Sequence, residues 1–309
     1  MLMQAEEVGL ISLADMYLYF FKKDHAFRYA LLDTRAEELD ADTKDFKPLW
    51  APNNASPDDA WGLKGMGLFS LASIHFWRHD IPFEYLDVGA NMGATSIAQA
   101  IFFKRCGKNC RVTAFEPGEI FQLLQKSVSV NRLEGEIVCS PLAASDTNEQ
   151  VTFYLTPKQS PAGSLIKAAV DRPEVEETRA ITVQTVILDD YLAPLSEGIG
   201  VLIKIDTEGA DFKVLSGLAR TMKNRLCVLQ IEFFPSLMGY TDPAQRLRDL
   251  TDDFHLIDIG EDANRLLDVD RIDAMMERIS SLPMPMTDIY MISKSIPESE
   301  VLRDRILAG

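Results

Sequence analysis

The chain has 309 residues, 47% of them hydrophobic, enough to bury the core of one large α/β domain with additions. Its 31 Lys and Arg stand against 47 Asp and Glu, and the formal charge of -16 repels phosphate backbones and anionic lipid, which counts against a nucleic-acid or membrane partner. Four cysteines without a C-x-x-C pair read as reduced thiols, four histidines give no His-rich metal site, and acids near Met1 where a secretory signal is basic point to a cytoplasmic setting.

Residues 1–80 read as a helical extension. "SLADMYLYFFKKDHAFRYALL" carries its apolar residues at helical spacing, and the connector "PLWAPNNASPDD" follows. Tyr17, Tyr19, Phe20 and Phe21 give this part an aromatic surplus that suits a cap on an active-site mouth, a homodimer contact or ordinary core packing. The run "GMGLFSLASIHFW", Gly65 to Trp77, is too short to span a bilayer and reads as a buried helix.

From Ile81 to residue 295 short apolar strands alternate with amphipathic helices, the pattern of a mostly parallel sheet covered on both faces. Strands are expected at "FEYLDVG", "CRVTAFE", "GEIVCSP", "GVLIKID", "CVLQIEF", "FHLIDIG" and "TDIYMIS", and helices at "GATSIAQAIFFKR", "IFQLLQKSVSVNRL", "ADFKVLSGLARTM" and "DPAQRLRDLTDDF". Between the third and fourth strands, alternating β-branched residues predict a hairpin-like insertion. The Met-rich stretch "RIDAMMERISSLPMPM" suits core filling or an adaptable pocket, and residues 296–309 are set apart as a tail.

Gly89 and Gly93 in "YLDVGANMGATS" fall where a strand gives way to a helix, so Asp87, Gly89, Ala90, Asn91 and Gly93 form a candidate cofactor loop. The dinucleotide fingerprint G-x-G-x-x-G is broken because Asn91 stands at its second glycine, which tilts the choice away from a pyrophosphate-bearing cofactor. At the end of the next strand, Glu116 in "VTAFEPG" can accept from both ribose hydroxyls of an adenosine, or cap the helix that follows. Asp87 would bring negative charge near the ammonium and sulfonium of S-adenosylmethionine, or fix the loop backbone.

A second constellation lies in "VLIKIDTEGADFKVLSGL". Strand alternation would point Lys204, Asp206 and Glu208 together at the carboxyl edge of the sheet, as a reactive cluster or as a structural ion pair with a helix cap. One strand later "LQIEFFP" offers Glu232 beside an apolar wall, where paired carboxylates can have one pKa raised into the range of a useful base. A divalent metal bridging Asp206 and Glu208 would lack a sure third ligand, so metal dependence is left open. His255 is an outside candidate for proton transfer.

Taken in order, "YLDVGANMGATS", "AFEPG", "LAASD", "AGSL", "TVILDDYL", "KIDTEGAD" with "VLSGL", and "IEFFP" resemble the FkbM-type family of S-adenosylmethionine-dependent methyltransferases, well from Phe83 to Pro235 and weakly to Lys294. The resemblance implies a class I methyltransferase (Rossmann-like) fold, a seven-stranded mostly parallel sheet with its last strand antiparallel and the cofactor above the first two strands. It places Asp87, Gly89, Asn91 and Gly93 in the cofactor loop, Glu116 at the ribose, Asp146 on the adenine side, and Asp206 and Glu208 at the reaction edge beside Glu232. One departure is Asp211, where the family pattern usually has Glu after "EGA"; the shorter arm counts against a specific contact there. The activity implied is O-methylation of a hydroxyl on a small natural product, sugar or glycan. N- or C-methylation, a nicotinamide-dependent oxidoreductase and a noncatalytic interaction protein stand as alternatives.

Overall fold

The computed structural model describes residues 60–155, 163–170, 178–239, 242–260, 264–282 and 285–308. The helical pattern and aromatic surplus expected before residue 60 lie outside the described residues.

The main sheet has eight strands: β1 (Phe83–Val88), β2 (Val112–Phe115), β3 (Ile137–Ser140), β8 (Gly200–Ile205), β9 (Cys227–Phe233), β10 (Phe254–Asp258), β11 (Arg265–Leu267) and β12 (Thr287–Ser293). Their order across the sheet is β11-β10-β12-β9-β8-β1-β2-β3. The block from β3 to β9 is parallel, and β12 inserts antiparallel between β9 and β10. This is the class I methyltransferase arrangement with one strand more than the seven expected. The additional strand, β11, pairs antiparallel with β10 over three residues, too few for an alternating pattern to show in the sequence.

Successive residues on each central strand enter opposite cores. Tyr85, Leu202, Val228 and Tyr290 pack on one face, while Leu86, Ile203, Leu229 and Met291 pack on the other. That period of two, with both faces apolar, is why these strands read as nearly continuous hydrophobic runs. The first face is covered by α1 (Ala60–Arg78), α2 (Ala94–Arg105) and α3 (Phe121–Val130). Phe69 of α1 meets the rings of Tyr85 and Tyr290 edge-on at 5.2 and 5.3 Å, so this helix is part of the sheet's core although it falls within the span 1–80. The segment 296–309, set apart as a tail, instead forms helix α10 (Ser299–Ala308), which packs on α1 and buries Leu302 and Ile306.

The predicted insertion is a second, four-stranded sheet. It comprises β4 (Ala143–Ser145), β5 (Gln150–Leu155), β6 (Gly163–Ser164) and β7 (Arg179–Ile187), in the order β4-β7-β5-β6, with the short α4 (Lys167–Val170) after β6 and α5 (Leu188–Leu192) after β7. The expected hairpin is its antiparallel β5–β7 pair. The helix expected over "ADFKVLSGLARTM" is two, α6 (Asp211–Ser216) and α7 (Ala219–Asn224). Between them a Cβ on Gly217 would lie 2.2 Å from the carbonyl oxygen of Ser145, so only glycine lets the helix end sit this close to β4. α8 (Pro243–Leu250) and α9 (Val269–Ser280) complete the second face, and the Met-rich stretch buries Met275 in the core there.

Candidate functional site

The carboxyl ends of β1, β2 and β8 meet at one edge, where open parallel sheets place ligands. After Val88 the chain turns through Gly89 (φ +78°), Asn91 (φ 52°) and Gly93 (φ +91°) into α2. The amides of Gly89 and Ala90 both donate to the carbonyl of Phe115, at 3.0 and 2.9 Å, tying the turn to β2. A Cβ on Gly89 would stand 1.8 Å from the carbonyl oxygen of Asp206. Gly89→Ala therefore collides with β8 and strains a left-handed residue; it should cost at least about 1–3 kcal/mol, read as a lowered melting temperature.

Glu116 closes this turn from β2. Its Oε2 accepts from the amide of Asn91 at 3.0 Å and its Oε1 from that of Gly118 at 2.8 Å. Glu116 does not cap α3, whose N-cap Ile120 has no side-chain cap; it holds the loop at Gly118 and fixes the glycine turn. Burial pushes its carboxyl up to about 7, against the pull of those two amides and aided by Asp87 and Asp206. Each oxygen keeps a lone pair for a further donor. Asp87 lies behind the turn, with Oδ2 accepting from Ser96 at 2.6 Å and Oδ1 buried without a partner. Burial raises its pKa, while Lys204, its register neighbour on β8, opposes the rise.

The second constellation starts at the end of β8. Lys204 Nζ donates to Asp206 Oδ2 at 2.7 Å. Burial works against the lysine's charge, but Asp206 and Asp87 outweigh it and hold the ammonium well above the ordinary value. The three charges do not share a strand face, because β8 stops at Ile205 and the backbone turns left-handed at Glu208 (φ 52°) and Gly209 (φ +95°). The turn, rather than strand alternation, brings Glu208 to the site. Fully buried Ser164 of β6 donates to the carbonyl of Glu208 at 2.7 Å, joining the insertion to this turn.

Asp211 corrects the sequence reading. Despite its short arm it makes specific contacts: Oδ2 accepts from Thr207 Oγ1 at 2.8 Å and Oδ1 from the amide of Glu232 at 3.1 Å. Glu232 itself has Oε2 buried without a partner, and it faces Asp288 of β12 in register. Burial first, then Asp206 and Glu208, hold the Glu232 carboxyl well above the usual carboxylate range. Burial likewise pushes Asp288 up to about 6.

Between these groups lies an open cleft. It is lined by Val88, Gly89, Asn91, Phe115, Glu116, Pro117, Leu142–Ala144, Phe153, Gly163, Leu165, Asp206, Thr207, Glu208 and Ala210. The structure thus brings Gly89, Asn91, Glu116, Asp206 and Glu208 to one cleft. Asp87, Ala90, Gly93, Lys204 and Glu232 are not part of the lining. Asp146 is exposed, and Leu142, Ala143 and Ala144 of its segment line the cleft instead. His255 is also elsewhere, its Nε2 3.3 Å from Ser299 Oγ at the start of α10. Phe153, Leu165 and Thr207 were not singled out from sequence; the "AGSL" motif was the nearest signal for the insertion's part.

The lining fits an adenosine that carries a sulfonium. It offers apolar side chains at Leu142 and Leu165, a carboxyl with spare acceptors for two ribose hydroxyls, and further acids, but among the described residues no Lys, Arg or His to meet a pyrophosphate. Among the described residues no group of three or more His, Cys, Asp or Glu is arranged to hold a metal ion, and no helix is long and apolar enough to cross a membrane.

No curated protein matches the sequence. Among solved structures, a precorrin-6y C5,15-methyltransferase from Geobacter metallireducens is similar with 10% identity over 76% of this chain and 88% of that one, at a TM-score of 0.36. An rRNA methylase from Streptococcus thermophilus is similar with 11% identity over 78% and 98%, at 0.37. An O-methyltransferase family protein from Burkholderia thailandensis is similar with 9% identity over 76% and 57%, at 0.32. Scores this low carry no argument, and the fold assignment rests on the strand order above. Residues 87–264, more than half of the chain, match the Methyltransferase FkbM domain. That match runs from the buried aspartate of β1 past the acid turn of β8, and with it the chain belongs to the FkbM family of S-adenosylmethionine-dependent methyltransferases.

Proposed function

We propose that the protein methylates a hydroxyl of a small natural product, sugar or glycan, with the cofactor in the cleft between Gly89, Glu116 and Asp206. The observation that carries this reading is Asp206, a half-exposed carboxylate in the cleft lining whose Oδ2 accepts from Lys204 at 2.7 Å. When bound, S-adenosylmethionine supplies a methyl group on a cationic sulfur. Glu116 receives the ribose hydroxyls, and Leu142 and Leu165 flank the base. Asp206 orients the acceptor hydroxyl and takes its proton, and Lys204 stabilises the carboxylate without entering the cleft. Most of the acceleration then comes from alignment and from excluding water.

The test is transfer from methyl-labelled S-adenosylmethionine to a panel of hydroxyl- and amine-bearing small molecules and glycans. Label in an ether linkage is expected; label only on nitrogen or carbon would overturn the O-methylation reading.

Glu116 adds a pH signature. Its carboxyl is held at about 7 without ligand, and ribose hydroxyls donate best to the ionised form. Binding therefore lowers its pKa and releases a proton. S-adenosylhomocysteine affinity should rise with pH towards and through 7 and level off above, in calorimetric titrations at several pH values. Affinity that is flat from pH 6 to 8 would separate the ribose from Glu116.

A further inference from the structure

We propose that Asp211 is a positioning residue: through Thr207 it clamps the Asp206–Glu208 turn to the backbone of β9 and so sets where Asp206 meets the acceptor. The proposal rests on Asp206 being the proton acceptor. Its basis is the way two strands are joined where their own pairing has run out. The last β8–β9 pair is Ile205 with Ile231. One residue on, the amide of Glu232 has no β8 partner and donates instead to Asp211 Oδ1 at 3.1 Å. The other carboxylate oxygen, Oδ2, takes the hydroxyl of Thr207 at 2.8 Å, and Thr207 lines the cleft between Asp206 and Glu208.

Asp211 is fully buried, and its carboxylate offers an acceptor to each of two donors on different elements, the hydroxyl of Thr207 and the amide of Glu232. The turn it holds has two consecutive left-handed residues, Glu208 and Gly209, a conformation that persists only where its surroundings impose it. Ser164 holds that turn from the insertion's side, and Asp211 holds it from the sheet's side.

The titratable groups around Asp211 are nearly all acids. Asp206 and Glu208 lie on its own turn, Glu232 on β9 and Asp288 on β12; Lys204 on β8 is committed to Asp206, and Asp146, after β4, is exposed. Burial pushes the Asp211 carboxyl up to about 7, with Asp206 adding to the rise and Thr207 and Glu232 opposing it. Below that pH a proton occupies one of its acceptor oxygens and the clamp loosens; above it, both donors are held. The sign for stability is opposite. A carboxyl whose folded pKa is raised contributes stability that is fully present below its unfolded pKa, about 4, and that is lost as pH rises through about 7.

Asp211→Asn separates the two roles, because it removes the buried charge and replaces one acceptor oxygen with an amide donor, so that the Thr207 contact must be reversed or lost. It should melt at or above the wild-type temperature at pH 8, bind S-adenosylhomocysteine within about twofold, and lose kcat by on the order of 10²-fold, the scale of a misplacement of about 1 Å. The acidic limb of the wild-type kcat profile near pH 7 should be absent. Amides 206–209 should exchange with solvent faster in the variant than in wild type at pH 8, and faster in wild type at pH 6 than expected from the intrinsic change in exchange rate. Thr207→Val, which removes the hydroxyl's half of the clamp and leaves Asp211 and the residue-207 backbone in place, should lower kcat in the same direction and decides the matter if Asp211→Asn does not fold. A lower melting temperature with unchanged kcat per folded molecule, or unchanged exchange at 206–209, would reduce Asp211 to a structural residue. If wild type transfers no methyl to any hydroxyl acceptor, the functional reading fails, and the exchange measurement still decides the clamp.

Discussion

Glu116→Ala should weaken S-adenosylhomocysteine binding by on the order of 10²-fold. Two hydrogen bonds from ribose hydroxyls to a charged acceptor are lost, at about 1.5 kcal/mol each at the low end, together about 3 kcal/mol. The same change strips the partners from the amides of Asn91 and Gly118, so the glycine turn loses its tie to β2 as well as its ligand contact. Glu116→Gln keeps one acceptor and should fall between wild type and alanine. Calorimetric titration with the melting temperature alongside separates the two losses. A Kd unchanged in the alanine variant would mean that the ribose is held elsewhere.

Asp206→Asn should lower kcat by about 10²–10⁴-fold while leaving S-adenosylhomocysteine affinity within a few-fold, the signature of a group needed for proton removal rather than for binding. The amide keeps the shape of the cleft wall but cannot accept the hydroxyl proton. It also leaves Lys204 with Asp87 as its nearest strand neighbour, so the lysine remains charged beside the glycine turn. A variant that retains wild-type kcat on a hydroxyl acceptor would remove Asp206 from the chemistry. An acceptor that is nucleophilic without losing a proton is the setting in which that result is expected.

The parts of this site that could be read from sequence are those built by one strand and the turn after it. Gly89, Asn91 and Gly93 follow β1, Glu116 follows β2 and Asp206 follows β8, and each is marked by a local break from apolar strand to glycine or acid. The sheet was legible for the same reason, since its central strands are apolar on both faces. What depends on register or on distant elements was not. Asp288 sits in a strand that reads simply as buried, and only the antiparallel pairing of β12 with β9 sets it against Glu232. Asp211 counted against itself by its short side chain, yet the amide of Glu232 and the hydroxyl of Thr207 come to it from two directions. The strand rule failed at Glu208 because the backbone turns left-handed there, which an acid before a glycine does not announce. Phe153, Gly163 and Leu165 reach the cleft only because the inserted sheet folds back over it, held by Ser164.

Soaking or co-crystallising the protein with S-adenosylhomocysteine tests the central claim most directly. The account predicts the nucleoside in the cleft, its ribose hydroxyls on Glu116, its base against Leu142 and Leu165, and its sulfur facing Asp206. A nucleoside bound anywhere else, or with its ribose away from Glu116, would contradict it.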